Sequence, residues 1–331
     1  MPKQINLVAI QARMERADYR DYAAFHAKID SLMRKTAEAV DFSLPTLVGF
    51  PELIGMFLSF LPRYWAELAD EDRLEDAATK LVMQNFASLP EEHRTPEKAA
   101  RRLLFTDSAV ETEEAYTETF AEMAREYACY VSAGSIALPP MESEASKGGR
   151  HVADDSKLYN TAYMFSPRGV CLSRVPKVYL TKGLEERLFD PAPRDELVPV
   201  ETQVGRLGTL VCFDGFHETL IERYDALGVE VLLKPSYNQY AWDGPSSYDP
   251  NAIEGQNWLK YGCPAIIQGR ENIRYGLNAM MVGGVFADMY AEGLSSVSRN
   301  TGRPEATWED AVLAIAAKPD AEEIVAATVE L

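Results

Sequence analysis

Short apolar runs alternate with amphipathic stretches along most of the chain. Ile5–Gln11 (INLVAIQ) is nearly continuous in apolar residues and predicts a buried strand. Behind it, Phe25, Ile29, Leu32, Met33 and Val40 recur at helical spacing and predict a helix packed on a sheet. Pro45–Glu52 (PTLVGFPE) predicts a second strand that closes on a carboxylate, with Pro51 forcing a turn. A helix around Tyr116, Phe120, Met123 and Tyr127 leads into a predicted strand at Tyr130–Leu138. Tyr159–Phe165 and Val170–Val175 flank Ser166-Pro167-Arg168-Gly169 and predict a hairpin. Further strands are predicted at Gly208–Cys212, Val229–Leu233, Pro264–Gln268, Asn278–Val285, Val312–Ala316 and Ile324–Leu331. Helices fall between them at about His217–Leu227 and Asn251–Tyr261.

Strands and helices interleave to the last residue with no linker and no repeat, which predicts one α/β domain over residues 1–331. Two stretches break the rhythm. Phe57–Ala109 has helical but uneven patterning, with Trp65, Leu81, Val82, Met83 and Phe86, and predicts an inserted helical subdomain or lid at about 57–109. Met141–Lys157 is polar and glycine-containing and predicts a mobile loop.

Composition narrows the function classes. Fifty-one Asp and Glu against 33 Lys and Arg give a net charge of −18, a field that repels polyanions. Nucleic acid and anionic membrane surfaces are therefore not expected partners. No apolar run reaches the roughly 18–20 residues of a membrane helix, and Met1–Ile10 lacks the pattern of a secretion signal. Four cysteines, Cys129, Cys171, Cys212 and Cys263, without CxxC spacing, fit a reducing cytoplasm. The chain has no GxGxxG after a strand, no GxxxxGK[ST], no GxSxG and no HExxH. Its four histidines, His26, His93, His151 and His217, are too scattered for a zinc site by spacing, so neither a cofactor nor a metal is expected.

Three residues remain that could carry chemistry. Cys212 ends the predicted strand at Gly208-Thr-Leu-Val-Cys and opens the turn Phe213-Asp214-Gly215 into a helix. There a thiol can stand near turn amides that favour a thiolate and can receive an oxyanion. Taken alone, a cysteine in TLVCF is more simply read as a small buried hydrophobe. Glu52, at the close of an apolar strand, could hold a raised pKa and act as a base, or be a solvated turn residue. Lys177, in Arg174-Val-Pro-Lys-Val-Tyr-Leu, could hold a carboxylate and an oxyanion, or snorkel at a strand edge. His217 lies five residues after Cys212, on a different helical face, which argues against a Cys–His dyad and for a structural role.

In this order the three residues resemble the Glu–Lys–Cys triad of the nitrilase superfamily, the carbon–nitrogen hydrolases. The resemblance rests on FPE at Phe50–Glu52, on Lys177-Val-Tyr-Leu with an acid eight residues on, and on Gly208-Thr-Leu-Val-Cys-Phe-Asp. Flanking segments agree: Val131-Ser-Ala-Gly-Ser-Ile, Asn160-Thr-Ala-Tyr-Met-Phe-Ser-Pro-Arg-Gly and Leu233-Lys-Pro-Ser-Tyr-Asn. It implies a four-layer αββα sandwich and a homodimer or higher homo-oligomer. It also implies Glu52 as general base, Cys212 as thioester-forming nucleophile, and Lys177 with the Phe213 backbone N–H as oxyanion hole. Glu185 occupies the usual offset of a second glutamate, with Glu186 adjacent. Tyr237, Asn238, Tyr240 and Trp242 follow the strand after the nucleophile, where members line the pocket, and Tyr237, Asn238 and Trp242 are taken as substrate-binding.

Phe213-Asp214 after the cysteine, instead of the Trp-Glu of nitrile-hydrolysing members, resembles the amidase and carbamoylase branches. Gly215-Phe-His-Glu is one residue shorter than the frequent form, so no anchoring role is assigned to Glu218, and the 57–109 segment exceeds the usual length between the glutamate strand and the next. The implied reaction is hydrolysis of a small linear amide or N-carbamoyl compound, with release of ammonia or amine. Nitrile hydrolysis or acyl transfer on the same triad, or a non-catalytic binding protein of this fold, are the alternatives.

Overall fold

Alternation along β1 (Gln4–Arg13) sends Ile5, Leu7 and Ala9 to one face and Val8, Ile10 and Ala12 to the other, and all six are fully buried. A strand covered on both faces needs layers on both sides, and the cores show which. The computed structural model describes residues 3–144, 149–246, 249 and 251–331. In it β1 pairs in parallel with β2 (Thr46–Gly49), which pairs with β3 (Tyr130–Leu138). The polar stretch predicted as a mobile loop instead holds a hairpin, β4 (Met141–Glu144) with β5 (Gly149–Val152). Residues 145–148 of that stretch lie outside the described residues. Beyond β3 in the sheet lies the antiparallel hairpin of β6 (Tyr159–Phe165) and β7 (Cys171–Pro176).

The second half-sheet runs through β8 (Val200–Thr202), β9 (Gly205–Thr209), β10 (Val231–Ser236) and β11 (Tyr275–Gly284). On β11 pack β12 (Tyr290–Ala291) and β13 (Ser296–Arg299), the latter pairing β14 (Val312–Ile315). β15 (Glu323–Glu330) returns antiparallel along β1. The halves join through β1 and β11, at Ala12–Met281 and Arg13–Val282, and fold face to face. Their inner layer holds Ile5, Leu7, Leu47 and Met164 from one half against Leu207, Val231, Leu233, Leu277 and Val297 from the other.

Helices cover both outer faces. α1 (Tyr22–Ala39), capped by Asp21 accepting from Ala24 N at 2.7 Å, and α5 (Ala109–Glu126) present Phe25, Ile29, Tyr116 and Phe120 to the first half. α7 (Glu218–Ala226) and α9 (Cys263–Ile266), with Ile267 just after it, bury Leu220, Ile221, Tyr224 and Ile267 against Leu210 and Leu232 of the second. The result is the expected αββα sandwich. Pro264–Gln268, predicted as a strand, is instead helix as far as Ile266 and a turn after it. Pro264 lies in the first turn of α9, where no backbone N–H is required, and a short apolar run fits a helix as well as a strand.

Between β2 and α5 the chain forms α2 (Leu61–Tyr64), α3 (Leu74–Asn85) and α4 (Pro96–Arg101). Their Leu61, Leu74, Leu81 and Ala99 join the core shared by α1 and α5. Asp288 caps α3 by accepting from Leu74 N at 2.7 Å, and Arg101 donates to Leu188 O at 2.9 Å and Asp190 Oδ2 at 2.7 Å. α6 (Leu184–Leu188), α8 (Glu254–Tyr261) and α10 (Trp308–Ala311) complete the elements.

An irregularity in β3 shapes the sheet edge where Glu52 emerges. β3 shifts register against β6 between Ser132 and Ser135, and Gly134 sits there at φ +72°. The bulge receives the turn after β2: Phe50 N donates to Ser132 O at 2.8 Å, Leu53 N to Ser135 Oγ at 2.8 Å and Gly55 N to Ser135 O at 3.1 Å. A Cβ on residue 134 would stand 2.0 Å from Pro51 O. Gly134→Ala therefore combines a left-handed backbone penalty of about 1–2 kcal/mol with a backbone clash. We expect urea unfolding to show a loss larger than that penalty, and a wild-type midpoint would contradict the role given to the bulge.

Candidate active site

β2 ends at Gly49, and Phe50-Pro51 carries the chain over the sheet edge, so Glu52 is aimed inward from a turn three residues past the strand. Leu53 takes φ +58°, a left-handed conformation fixed by the Ser135 contact. Lys177 follows β7 directly, and its backbone N donates to Asn160 O at 2.8 Å. Glu52 and Lys177 are 2% and 1% exposed. The Lys177 ammonium donates to Glu52 Oε1 at 2.7 Å and to both Glu185 oxygens at 2.7 and 2.8 Å. Glu185 comes from α6 and also accepts from Thr181 N at 2.8 Å and Thr181 Oγ1 at 2.7 Å. Asn160 Nδ2 on β6 donates to Glu52 Oε1 at 2.8 Å, with a longer contact of 3.4 Å to Glu185 Oε1.

The strand before Cys212 ends at Thr209, and Cys212–Phe216 forms a 3-10 turn. Cys212 itself stands at φ +47°, uncommon for a residue with a Cβ and a form of strain that collects at functional sites. Its Sγ donates to Tyr237 O at 3.5 Å. Asp214, fully buried, accepts from Tyr179 N at 2.7 Å and Val178 N at 3.2 Å. The cysteine turn is thus tied to the segment carrying Lys177.

Burial and charge divide the labour between the carboxyls. Burial raises the pKa of Glu52, and the Lys177 charge and a hydrogen-bond contribution from Cys212 offset this only in part. Glu185 is also raised by burial, but Lys177 and its Thr181 hydrogen bonds outweigh that and hold it below the ordinary carboxylate value. Burial alone would lower Lys177, yet the two carboxylates hold it well above the usual lysine value, so it stays an ammonium. Burial, reinforced by Glu52, pushes the Cys212 thiol up to about 12, and Asp214 is raised by burial to about 7. The arrangement is a neutral thiol beside a carboxylate with raised proton affinity, with a fixed cation between two glutamates.

Glu52, Lys177 and Glu185 converge as the sequence suggests, while Glu186 is exposed and away from the ammonium. Phe213 follows Cys212 in the turn, its ring edge-on to His217 at 4.8 Å. His217 stacks on Tyr179 at 3.6 Å. Tyr237 carries a buried hydroxyl without a hydrogen-bond partner among the described residues, near enough to Glu52 and Asp288 to feel both charges. Asn238 donates Nδ2 to Tyr240 O and Glu292 O at 2.9 and 3.1 Å, and Trp242 N donates to Glu292 Oε2 at 2.6 Å. Both fix the loop after β10. Glu218 pairs with Arg270 at an exposed position.

Asn160, Thr181 and Asp214 belong to the site by contact but do not stand out as site residues from sequence. Asn160 and Asp214 lie inside the quoted motifs, which is the available signal; Thr181 has none. Lys234, which sequence alone cannot place, is fully buried below the cysteine turn.

Comparison with known proteins points the same way. A family model described as carbon-nitrogen hydrolase matches residues 8–283. Omega-amidase NIT2 of Homo sapiens is 26% identical over 203 residues, which cover 58% of this chain and 66% of that protein. The Mus musculus protein is 26% identical over 192 residues, covering 55% and 63%. The matched region thus spans less than two thirds of these relatives' length. Among solved structures, the carbon-nitrogen hydrolase from Helicobacter pylori G27 superposes with a TM-score of 0.60 at 16% identity, covering 99% of this chain and 89% of that one. A mutant of the amidase from Nesterenkonia sp. AN1, with the acetamide moiety of fluoroacetamide added covalently at its active-site cysteine, gives 0.54 at 16% identity, covering 99% and 90%. These structures share the fold. With five-sixths of its length inside the family model, the chain belongs to the carbon-nitrogen hydrolase family.

Proposed function

We propose that the protein hydrolyses the carbon–nitrogen bond of a small linear amide or N-carbamoyl compound through a thioester on Cys212. The observation that carries this reading is the Lys177 ammonium clamped by Glu52 and Glu185 beside a cysteine in a left-handed turn. The thiol is protonated at neutral pH, so its nucleophilicity depends on a base acting during attack. Glu52 takes the Sγ proton as sulfur bonds the amide carbon. Lys177 and the Phe213 backbone N–H receive the oxyanion. The tetrahedral intermediate collapses by breaking the C–N bond, and Glu52 returns the proton to the departing ammonia or amine. Water then attacks the thioester carbon and gives a proton to Glu52, the C–S bond breaks to release the acid, and Glu52 returns that proton to Sγ. Glu185 keeps Lys177 oriented through both half-reactions.

The omega-amidase relatives and the cysteine adduct of the Nesterenkonia amidase support an amide as substrate. The buried Tyr237 hydroxyl, without a hydrogen-bond partner among the described residues, supports a substrate with a hydrogen-bonding group beyond the amide. We read residues 57–109, which contain α2 to α4, as an insertion within one domain that caps the pocket; its pins to Asp288 and Asp190 support this. A cytoplasmic site of action fits four free thiols, none of them paired. A homodimer or higher homo-oligomer is carried over from the family.

Incubation with a panel of amides, N-carbamoyl amino acids and nitriles should release ammonia and leave an acyl adduct in intact-mass spectra of the wild type. Cys212→Ala should show neither; an adduct persisting in that variant would refute the nucleophile assignment. Glu52→Gln should lower kcat by roughly 10²–10⁴-fold, the span of general-base contributions. Because the base must be unprotonated, kcat/KM falls as pH drops through the Glu52 value. Its acid limb should therefore lie above the ~4.3 of an ordinary glutamate, and a limb at or below that value would contradict the assignment. Lys177→Met leaves two buried carboxylates without their cation and should cost roughly 3–5 kcal/mol in urea unfolding at neutral pH. A loss below about 1 kcal/mol, the scale of an exposed ion pair, would show that the clamp is not structural.

A further inference from the structure

The charges around Cys212 do not balance without a residue that the hydrolytic steps leave unused. Glu52 and Glu185 share one cation, Lys177, so the cluster carries a negative charge once Glu52 ionises. When Glu52 takes the Sγ proton, that negative charge moves onto the sulfur or the oxyanion beside it. Beneath the Cys212–Phe216 turn lies a second buried ammonium, Lys234 of β10, with no exposed surface. Among the described residues it makes no ion pair. Its Nζ sits 4.3 Å from the ring centroid of Phe216 and 4.3 Å from that of Trp258, and donates to Ser236 Oγ at 3.4 Å. Two ring faces and a hydroxyl oxygen favour a cation.

The box is built from the nucleophile's own surroundings. Phe216 belongs to the cysteine turn, and a Cβ on Gly215 would meet Lys234 Cε at 2.6 Å, so the lysine stem fills the space that a glycine in the turn leaves open. Trp258 packs against the cluster of Ala162, Val211 and Cys212 and is oriented by donating Nε1 to Glu254 Oε1 at 3.0 Å. An isolated buried ammonium is costly to keep, and opposite charge developing nearby is what offsets that cost. Burial pulls Lys234 below the usual lysine value; among its neighbours Cys212 most favours the charged form, ahead of Cys263, with Glu52 contributing in the same sense and Lys177 opposing.

We propose that Lys234 is a positioning residue of this reaction: a counter-charge boxed beneath the nucleophile turn that balances the negative charge forming at Cys212. The proposal rests on the reading of Cys212 as nucleophile. The charged groups that set the thiol's ionisation are then Glu52 after β2, Lys177 after β7, Glu185 on α6 and Lys234 on β10. Removing Lys234 leaves the negative groups in the majority and moves ionisation to higher pH.

The test reads Cys212 carboxamidomethylation by iodoacetamide against pH, followed by peptide mass spectrometry, with Cys129, Cys171 and Cys263 as internal references. In Lys234→Met we expect alkylation of Cys212 to be about tenfold slower at each pH below its midpoint, which is a displacement of about one pH unit upward. Lys234→Arg keeps the charge and should stay near the wild-type profile. A Lys234→Met profile that overlays the wild type, with only the melting temperature lowered, overturns the proposal, because a purely steric role would give that result. If neither variant folds, Trp258→Leu opens one wall of the box and should displace the profile upward by a smaller amount; an unmoved profile there also overturns it. Failure of the parent reading is separately visible as absence of an acyl adduct on wild-type Cys212.

Discussion

The ammonium of Lys177 is the interaction on which the active-site region depends. It is buried, and it contacts carboxylates from two separate segments, the turn after β2 and the short helix α6. Desolvating a charge is tolerated only where geometry and hydrogen bonds are complete, and here Asn160 and Thr181 supply the remaining donors to the carboxylates. The clamp also sorts the two glutamates. Glu185, with the greater share of donors, holds its charge, while Glu52 is left with a raised affinity for a proton. A base of that kind can take a proton from a thiol during attack and return it to a leaving group, which a strongly ionised carboxylate does poorly.

Sheet edges make this possible. The β3 bulge accepts the Glu52 turn, the β6–β7 hairpin delivers Asn160 and Lys177, and Asp214 bonds the backbone of Val178 and Tyr179 to the nucleophile turn. Left-handed residues occur at Leu53 and Cys212, both in the turns that present the two reacting groups. The rigid part of the molecule is the double sheet, and the chemistry sits on loops that its strand ends hold in register.

Much of this is readable in the sequence, for identifiable reasons. Strands β1, β2, β3 and β11 are buried on both faces, so they appear as mostly apolar runs broken by single small or amide side chains. Glu52, Lys177 and Cys212 stand out because each interrupts or closes such a run. Pro264–Gln268 misleads because five mostly apolar residues carry no period that separates helix from strand. Met141–Lys157 misleads because a small two-stranded hairpin with partly exposed strands has no apolar face to advertise. Asn160 is hidden by its place inside a strand, where an asparagine reads as ladder polarity and not as a donor to two glutamates. Lys234 cannot be placed at all, since a lysine in an apolar strand can snorkel, and the aromatic box around it comes from Phe216 and Trp258, each on a different element.

One shared cation leaves Glu52, and not Glu185, as the carboxyl with elevated proton affinity, and the proposed chemistry turns on that difference. Carbon-13 NMR titration of protein labelled at the glutamate side-chain carboxyls, assigned with Glu52→Gln and Glu185→Gln, reads both groups directly. Glu52 should titrate above the ~4.3 of a free glutamate side chain and Glu185 below it. The reverse order, or both groups titrating at the ordinary value, would contradict this account of the site.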